Sequence, residues 1–181
     1  MKLVPYCLID GVRNIADSKI MGMYDRMVSD GTADYVFEDG EIRNREGFLE
    51  SMKSTCSLYI LLSDTSEVLA IAWLNRFEGR TARFHFCAFK TAWGGNTVYM
   101  GQFICREILA YTYNDGSYIF DTLIGRIPSN NSIGVAYLKR LGAHFLGEIP
   151  KGHWNEKKKK SESCHVIYMN REILDNGENI H

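Results

Sequence analysis

Residues 118–148 read YIFDTLIGRIPSNNSIGVAYLKRLGAHFLGE, and the order of elements in this stretch decides the fold. It parses as strand, turn, short helix, glycine stop and strand. Tyr118 to Ile124 is rich in β-branched and aromatic residues, with Asn114-Asp115-Gly116 before it and Gly125 and Pro128 after it, as expected of a buried strand. Ser129, Asn130 and Asn131 offer side-chain oxygens that cap a helix. Ile133, Ala136, Tyr137 and Leu141 then fall on one apolar stripe at helical spacing, and Lys139 and Arg140 sit where the helix dipole favours cations. Gly142 stops the helix in a left-handed conformation.

Working outward, residues 1–10 read as an edge strand, and Asn14 to Val28 as a helix carrying Ile15, Met21 or Gly22, and Met27, broken at Ser29-Asp30-Gly31. A second helix is predicted from Arg45 to Lys53. Between them lies an acidic, aromatic loop, Gly31 to Asn44, with Asp34, Tyr35, Phe37, Glu38, Asp39 and Glu41. It is either a solvated connector or a wall that attracts an amine. Ser57–Leu62, Glu67–Phe77 and Thr81–Phe89 are strand-like runs joined by short polar turns, which makes them an antiparallel meander. In the last run Phe84, Phe86 and Ala88 alternate with His85, Cys87 and Phe89, predicting one strongly apolar face and another that carries His85.

A helix follows the stretch Lys90 to Thr97 and runs to about Tyr113, with Ile104, Cys105, Ile108 and Tyr111 on one face. Strand, helix and strand make a right-handed crossover, so Tyr118–Ile124 should lie parallel to Thr81–Phe89. The chain then offers a strand at 143–148, a loop from Pro150 to Ser163 and a strand from Cys164 to Asn170. Residues 175–181 read as a frayed tail. Lys157 to Lys160, four lysines in a row, read as a solvated loop tip.

With 181 residues, 45% of them hydrophobic, the chain is expected to form a single domain over residues 1–181. A net charge of −1 gives no global case for nucleic acid or for an anionic membrane. The apolar start is short and interrupted by Pro5, and no run approaches the roughly 18 apolar residues of a spanning helix. A cytoplasmic protein is expected. Cys7, Cys56, Cys87, Cys105 and Cys164 are odd in number, dispersed and without a Cys-x-x-Cys pair, which predicts reduced thiols. Cys87 reads as a small core hydrophobe. His85, His144, His153 and His165 show no metal-ligand spacing, so no metal is expected.

Asn131, the small residue Gly134, Leu141-Gly142 and the strand opening at Ala143 resemble the C-terminal signature of the GNAT superfamily of acyl-CoA-dependent N-acyltransferases. The resemblance leans toward the branch that holds the ribosomal-protein N-terminal acetyltransferases. It implies a mixed α/β fold with helices on both faces of a central, mostly antiparallel sheet, splayed where one strand pair runs parallel. It also implies acetyl-CoA as cosubstrate and a primary amine as acceptor, whether a small molecule or a protein N-terminus.

Acyl transfer from a thioester needs a neutral amine, a donor for the carbonyl oxygen and a proton for the leaving thiolate. Pyrophosphate needs unpaired backbone N–H groups at a helix start. The resemblance places that helix start at Gly94, Gly95, Asn96, Thr97 and Gly101, with Tyr99 at the position of the usual middle glycine, and implies further cofactor contacts from Phe89 and Asn131. The family's general-acid tyrosine corresponds to Leu138. Tyr137, one residue earlier, is the candidate acid here, beside its reading as a core residue. His85 is the candidate base, because an ordinary imidazole is half neutral near physiological pH, with Glu38, Glu41 or a water chain as substitutes. A non-catalytic acyl-CoA-binding or protein-interaction module of the same fold is the rival reading. The sequence leaves the acceptor and the oligomeric state open, a homodimer being one option.

Overall fold

The computed structural model describes residues 1–176. In chain order the elements are β1 (Lys2–Pro5), β2 (Leu8–Ile9), β3 (Val12–Arg13), α1 (Asp17–Ser29), α2 (Ala33–Val36), α3 (Arg45–Ser54), β4 (Ser57–Leu62), β5 (Val68–Glu78) and β6 (Thr81–Ala88). A single 3-10 turn, Lys90–Ala92, leads to α4 (Thr97–Ala110), β7 (Thr122–Pro128), α5 (Ser132–Leu141), β8 (His144–Asn155), β9 (Lys160–Asn170) and α6 (Arg171–Asn176). Seven strands form one sheet in the order β1-β4-β5-β6-β7-β9-β8. The expected mixed α/β architecture, a mostly antiparallel sheet with one parallel pair, β6 beside β7, is what the chain adopts.

That parallel pairing lasts three residues, Thr81 with Thr122, Ala82 with Leu123 and Arg83 with Ile124. Past it, Gly125 to Pro128 pair antiparallel with β9, from Ile167 to Cys164. The backbone divides into two compact units. The first comprises residues 1–75, 86–93 and 154–160, and the second comprises 76–85, 94–153 and 161 onward.

The first unit has its core under α1 and α3. Ile20, Met27, Phe48 and Met52 are fully buried against Ile71 and Phe89 of the same unit. Each such side chain contributes about 1.5–3 kcal/mol by leaving water. In α1 the buried residues are Ile20, Met23, Tyr24 and Met27, so Met27 lies on the buried face as expected. Ile15 precedes the helix and packs half-buried against the same core, and Met21 and Gly22 lie off the buried face. Asp10 and Gly11, both at positive φ, close a small hairpin between β2 and β3, which replaces the far end of the predicted edge strand.

In the second unit the predicted strand 118–124 moves four residues along, to Thr122–Pro128. Side chains explain the shift. Arg80 donates to the carbonyl of Tyr118, and Arg171 donates to those of Phe120 (2.7 Å) and Leu109 (2.8 Å). Arg171 also pairs with Asp121 at 2.6 Å. At Tyr118 and Phe120 these partners occupy carbonyls that a sheet ladder would otherwise use. Gly125 lies inside the strand because a Cβ there would meet Ile167 Cδ1 at 2.6 Å. The predicted loop 150–163 is also corrected. Most of it continues β8 and β9 as a long hairpin, and only residues 156–159 form the turn. Asp175 and Asn176 belong to α6, anchored by buried Leu174, and the rest of the expected tail lies outside the described residues.

Candidate active site

In the second unit α4 begins where the resemblance puts a pyrophosphate. Gly94 has φ +124° and Gly95 follows it, and a Cβ on either would meet no atom within 4 Å. Asn96 is the N-cap but gives no side-chain cap bond, and Thr97 turns its amide (3.2 Å) and hydroxyl (2.9 Å) back to the carbonyl of Gly94. A helix start leaves the next amides, Val98 and Tyr99, outside the intrahelical ladder. With no side chain capping them, they suit an anion. These residues therefore fit a CoA pyrophosphate. Gly101 serves another purpose. The Tyr137 hydroxyl occupies the space its Cβ would need, and Leu141 Cδ1 lies 2.8 Å from it, so this glycine lets α4 and α5 pack.

Tyr137 donates to the carbonyl of Thr97 at 3.2 Å, and burial raises its pKa well above the usual phenol value. The hydroxyl thus braces the first turn of α4. Asn131 caps α5, accepting from the amide of Gly134 at 2.9 Å through its carbonyl oxygen, which commits that oxygen but not the two N–H donors of its amide. The α5 stripe differs from the expected one. Leu141 is buried and Tyr137 half-buried, but Ile133 is 83% exposed. Ser129, expected only to help cap α5, holds a buried hydroxyl with no hydrogen-bond partner among the described residues.

His85 does not have the basicity that nominated it. Burial, with Arg83 and Arg76 nearby, pushes its pKa down to about 4, so the imidazole is neutral throughout the neutral range and a weak proton acceptor. Of the two β6 faces, the one carrying Cys87 is the more deeply buried at the strand end, while Phe84 and Phe86 are half-buried. Phe89 is fully buried beneath the Arg26 guanidinium. Its amide goes to Leu69 and its carbonyl accepts from Ala92, so it is a core residue with its backbone already engaged. The Cys87 thiol is pushed up to about 11 by burial and faces Thr32 Oγ1 at 3.5 Å, as a core cysteine should.

The first unit contains a cavity of about 510 Å³. Its apolar wall includes Tyr24, Phe37 and Ile42, with Tyr24 and Phe37 stacked at 5.9 Å. Asp34, Glu38 and Glu156 bring carboxylates to it, and Arg43 and Lys157 bring cations. Asp34, Phe37 and Glu38 come from the predicted acidic loop. Tyr35, Asp39 and Glu41 do not line the cavity. The lysine run is more than a solvated tip, since Lys157 pairs with Asp34 at 2.6 Å and Lys159 pairs with Glu156. Gly40, at φ +77°, brings the loop so close to Glu156 that a Cβ would meet its Cγ at 2.8 Å. The glutamate backbones also join, Glu156 N donating to Glu38 O at 2.7 Å.

Among the described residues no three His, Cys, Asp or Glu side chains group as a metal set, and no helix is long and apolar enough to cross a membrane. No known protein-family model matches the sequence, and no curated protein sequence matches it. Solved structures do. The chain is similar to spermidine N-acetyltransferase from Vibrio cholerae, solved with CoA and spermine, at 10% identity over 96% of this chain and 98% of that one, with a TM-score of 0.69. It is also similar to the Salmonella typhimurium acetyltransferase that modifies the N-terminal serine of ribosomal protein L7/L12, at 10% identity, 86% and 91% coverage and a TM-score of 0.66. The ribosomal-protein-S5-alanine acetyltransferase of Vibrio fischeri aligns at 11% identity over 87% and 91% of the two chains, with a TM-score of 0.62. At these identities the likeness is one of fold, and the chain has the fold of these N-acetyltransferases.

Proposed function

We propose that the protein is an N-acetyltransferase that moves an acetyl group from acetyl-CoA to a primary amine by direct attack. The observation that carries this reading is the start of α4, opened by Gly94-Gly95 and left without a side-chain cap on a fold shared with CoA-using acetyltransferases. Bound acetyl-CoA supplies an activated thioester, and the chain supplies positioning and electrostatics. The amides of Val98 and Tyr99 hold the pyrophosphate, and the Asn131 amide donates to the pantetheine arm. Tyr137 keeps the first turn of α4 in place through Thr97. The acidic, aromatic cavity of the first unit offers carboxylates to an amine, and Glu38 is the candidate proton acceptor in place of His85.

A second reading, a module that binds acyl-CoA without transfer, is favoured by one observation, the commitment of the Tyr137 hydroxyl to the backbone of α4. Thermal melting with millimolar acetyl-CoA tests the binding half of the proposal, because a ligand bound only by the folded state raises the midpoint by mass action. An unchanged midpoint refutes the cofactor assignment. Release of free CoA thiol that depends on added amine tests the transfer half.

A further inference from the structure

The walls of the cavity carry charge of both signs, and that narrows the acceptor. A pocket for a polyamine gains from carboxylates and loses from every cation on its walls, since a second ammonium is repelled by them. Here Arg43 and Lys157 stand among the carboxylates. Arg43 is pre-set to receive an anion. Its Nε donates to the carbonyl of Gly40 at 3.1 Å, which orients the guanidinium, while its other contact, to Glu156 Oε1, is long at 3.5 Å. Charge-assisted bonds run at about 2.7–2.9 Å, so this one is weak. Glu156 has stronger partners, Lys159 on Oε1 and the Trp154 indole on Oε2 at 2.9 Å, and they hold its carboxyl below the usual carboxylate range. The Arg43 side chain is 74% exposed and lines the cavity, and a guanidinium fork matches a carboxylate. Lys157 pairs with Asp34 in the open, with side chains 65% and 69% exposed, and such pairs exchange partners at little cost.

We propose that this cavity takes an α-amino acid with an apolar side chain as the amine acceptor, an assignment that rests on the transfer reading for its chemistry. Asp34 and Glu38 receive the amino group, Arg43 and Lys157 the carboxylate, and Tyr24 and Phe37 the side chain. In the transfer the neutral amine forms a bond to the acetyl carbon and the carbon–sulfur bond breaks. The nitrogen loses one proton and the departing CoA thiolate gains one, giving an N-acetyl amino acid and CoA. Arg43 and Lys157 are therefore specificity determinants.

The test is calorimetric titration of the full chain with L-phenylalanine, L-phenylalaninamide, phenethylamine and spermidine, with acetyl transfer to each measured in parallel. Phenylalanine is expected to bind at least tenfold more tightly than the three ligands that lack a carboxylate. Arg43→Gln combined with Lys157→Gln is expected to lower the ratio of phenylalanine to phenethylamine affinity at least tenfold, and Arg43→Lys to restore part of it. Equal or tighter binding of the amide, of phenethylamine or of spermidine overturns the assignment, as does a ratio untouched by the double substitution or no binding by any ligand. Carboxylate-dependent binding without transfer upholds the ligand class and refutes the transfer reading. Transfer without carboxylate preference overturns the ligand class and leaves the transfer reading standing.

Discussion

The hydroxyl of Tyr137 fills the space that a Cβ on Gly101 would need and donates to the carbonyl of Thr97 at 3.2 Å, tying α5 to the first turn of α4. Tyr137→Phe removes this bond and keeps the aromatic ring. It is expected to lower stability by about 1 kcal/mol and to weaken acetyl-CoA binding slightly. A general acid would instead lose about 10²-fold in kcat at unchanged cofactor affinity. Gly101→Ala overpacks the same contact and is expected to cost about 1–3 kcal/mol in denaturant titrations.

His85 links folding to pH. Its folded pKa, about 4, lies below the ordinary 6.5, so between these values the unfolded chain binds the extra proton. The stability from the neutral buried imidazole is complete above pH 6.5 and is lost as pH falls toward 4. His85→Gln is expected to flatten that part of the melting-temperature profile. It should leave the rate profile between about pH 6 and 8 unchanged, because the imidazole does not titrate there. A rate inflection in that window that disappears in the variant would restore His85 as the base.

Asn131 separates the cap from the cofactor contact. Asn131→Asp keeps an oxygen to accept from Gly134 and suits a helix N-terminus, so stability should hold. It removes the N–H donors and adds a negative charge, and acetyl-CoA affinity should fall by about tenfold, the scale of one lost hydrogen bond. Asn131→Ala loses the cap as well and should also cost about 0.5–2 kcal/mol of stability.

Gly40→Ala puts a Cβ against Glu156 Cγ at 2.8 Å and forces a side chain onto a backbone at φ +77°. The expected cost is about 1–3 kcal/mol in chemical unfolding. Since Gly40 and Glu156 belong to the cavity in the first unit, the variant should raise the acceptor KM while acetyl-CoA binding stays the same.

Local chemistry made much of the fold legible in the sequence. The meander runs at 57–62, 67–77 and 81–89 lie within one residue of β4, β5 and β6, because polar turns separate them cleanly. The cap at Asn131 and the left-handed stop at Gly142 behave as their residue types demand. What failed was decided by distant partners. Gly125 and Pro128 read as strand stops, yet Gly125 is a strand residue that makes room for Ile167, and Pro128 ends the ladder opposite Cys164. The carbonyls of Tyr118 and Phe120, freed for Arg80 and Arg171, cannot be foreseen from local pattern.

At the site, residue type gave half the answer. The acidic loop suggested a wall for an amine, and Asp34, Phe37 and Glu38 do line a cavity. Glu156 and Lys157 reach it from more than a hundred residues away, and the run of lysines around them looks like solvated surface in any local reading. His85 alternates correctly along β6, but only its burial reveals that it is too weakly basic for its expected task. The resemblance makes Phe89 a cofactor contact, and the structure buries its side chain in the core of the first unit.

The central claim is acetyl transfer to an amine by direct attack, and acetyl-CoA labelled in the acetyl group tests it most directly. With a panel of amines that includes apolar amino acids and peptide N-termini, the account predicts label on the amine and an equal amount of free CoA thiol. No thiol burst and no labelled protein should form before the amine is added. Acetyl-CoA that raises the melting temperature while no amine gains label would contradict the claim and leave a binding module in place of an enzyme.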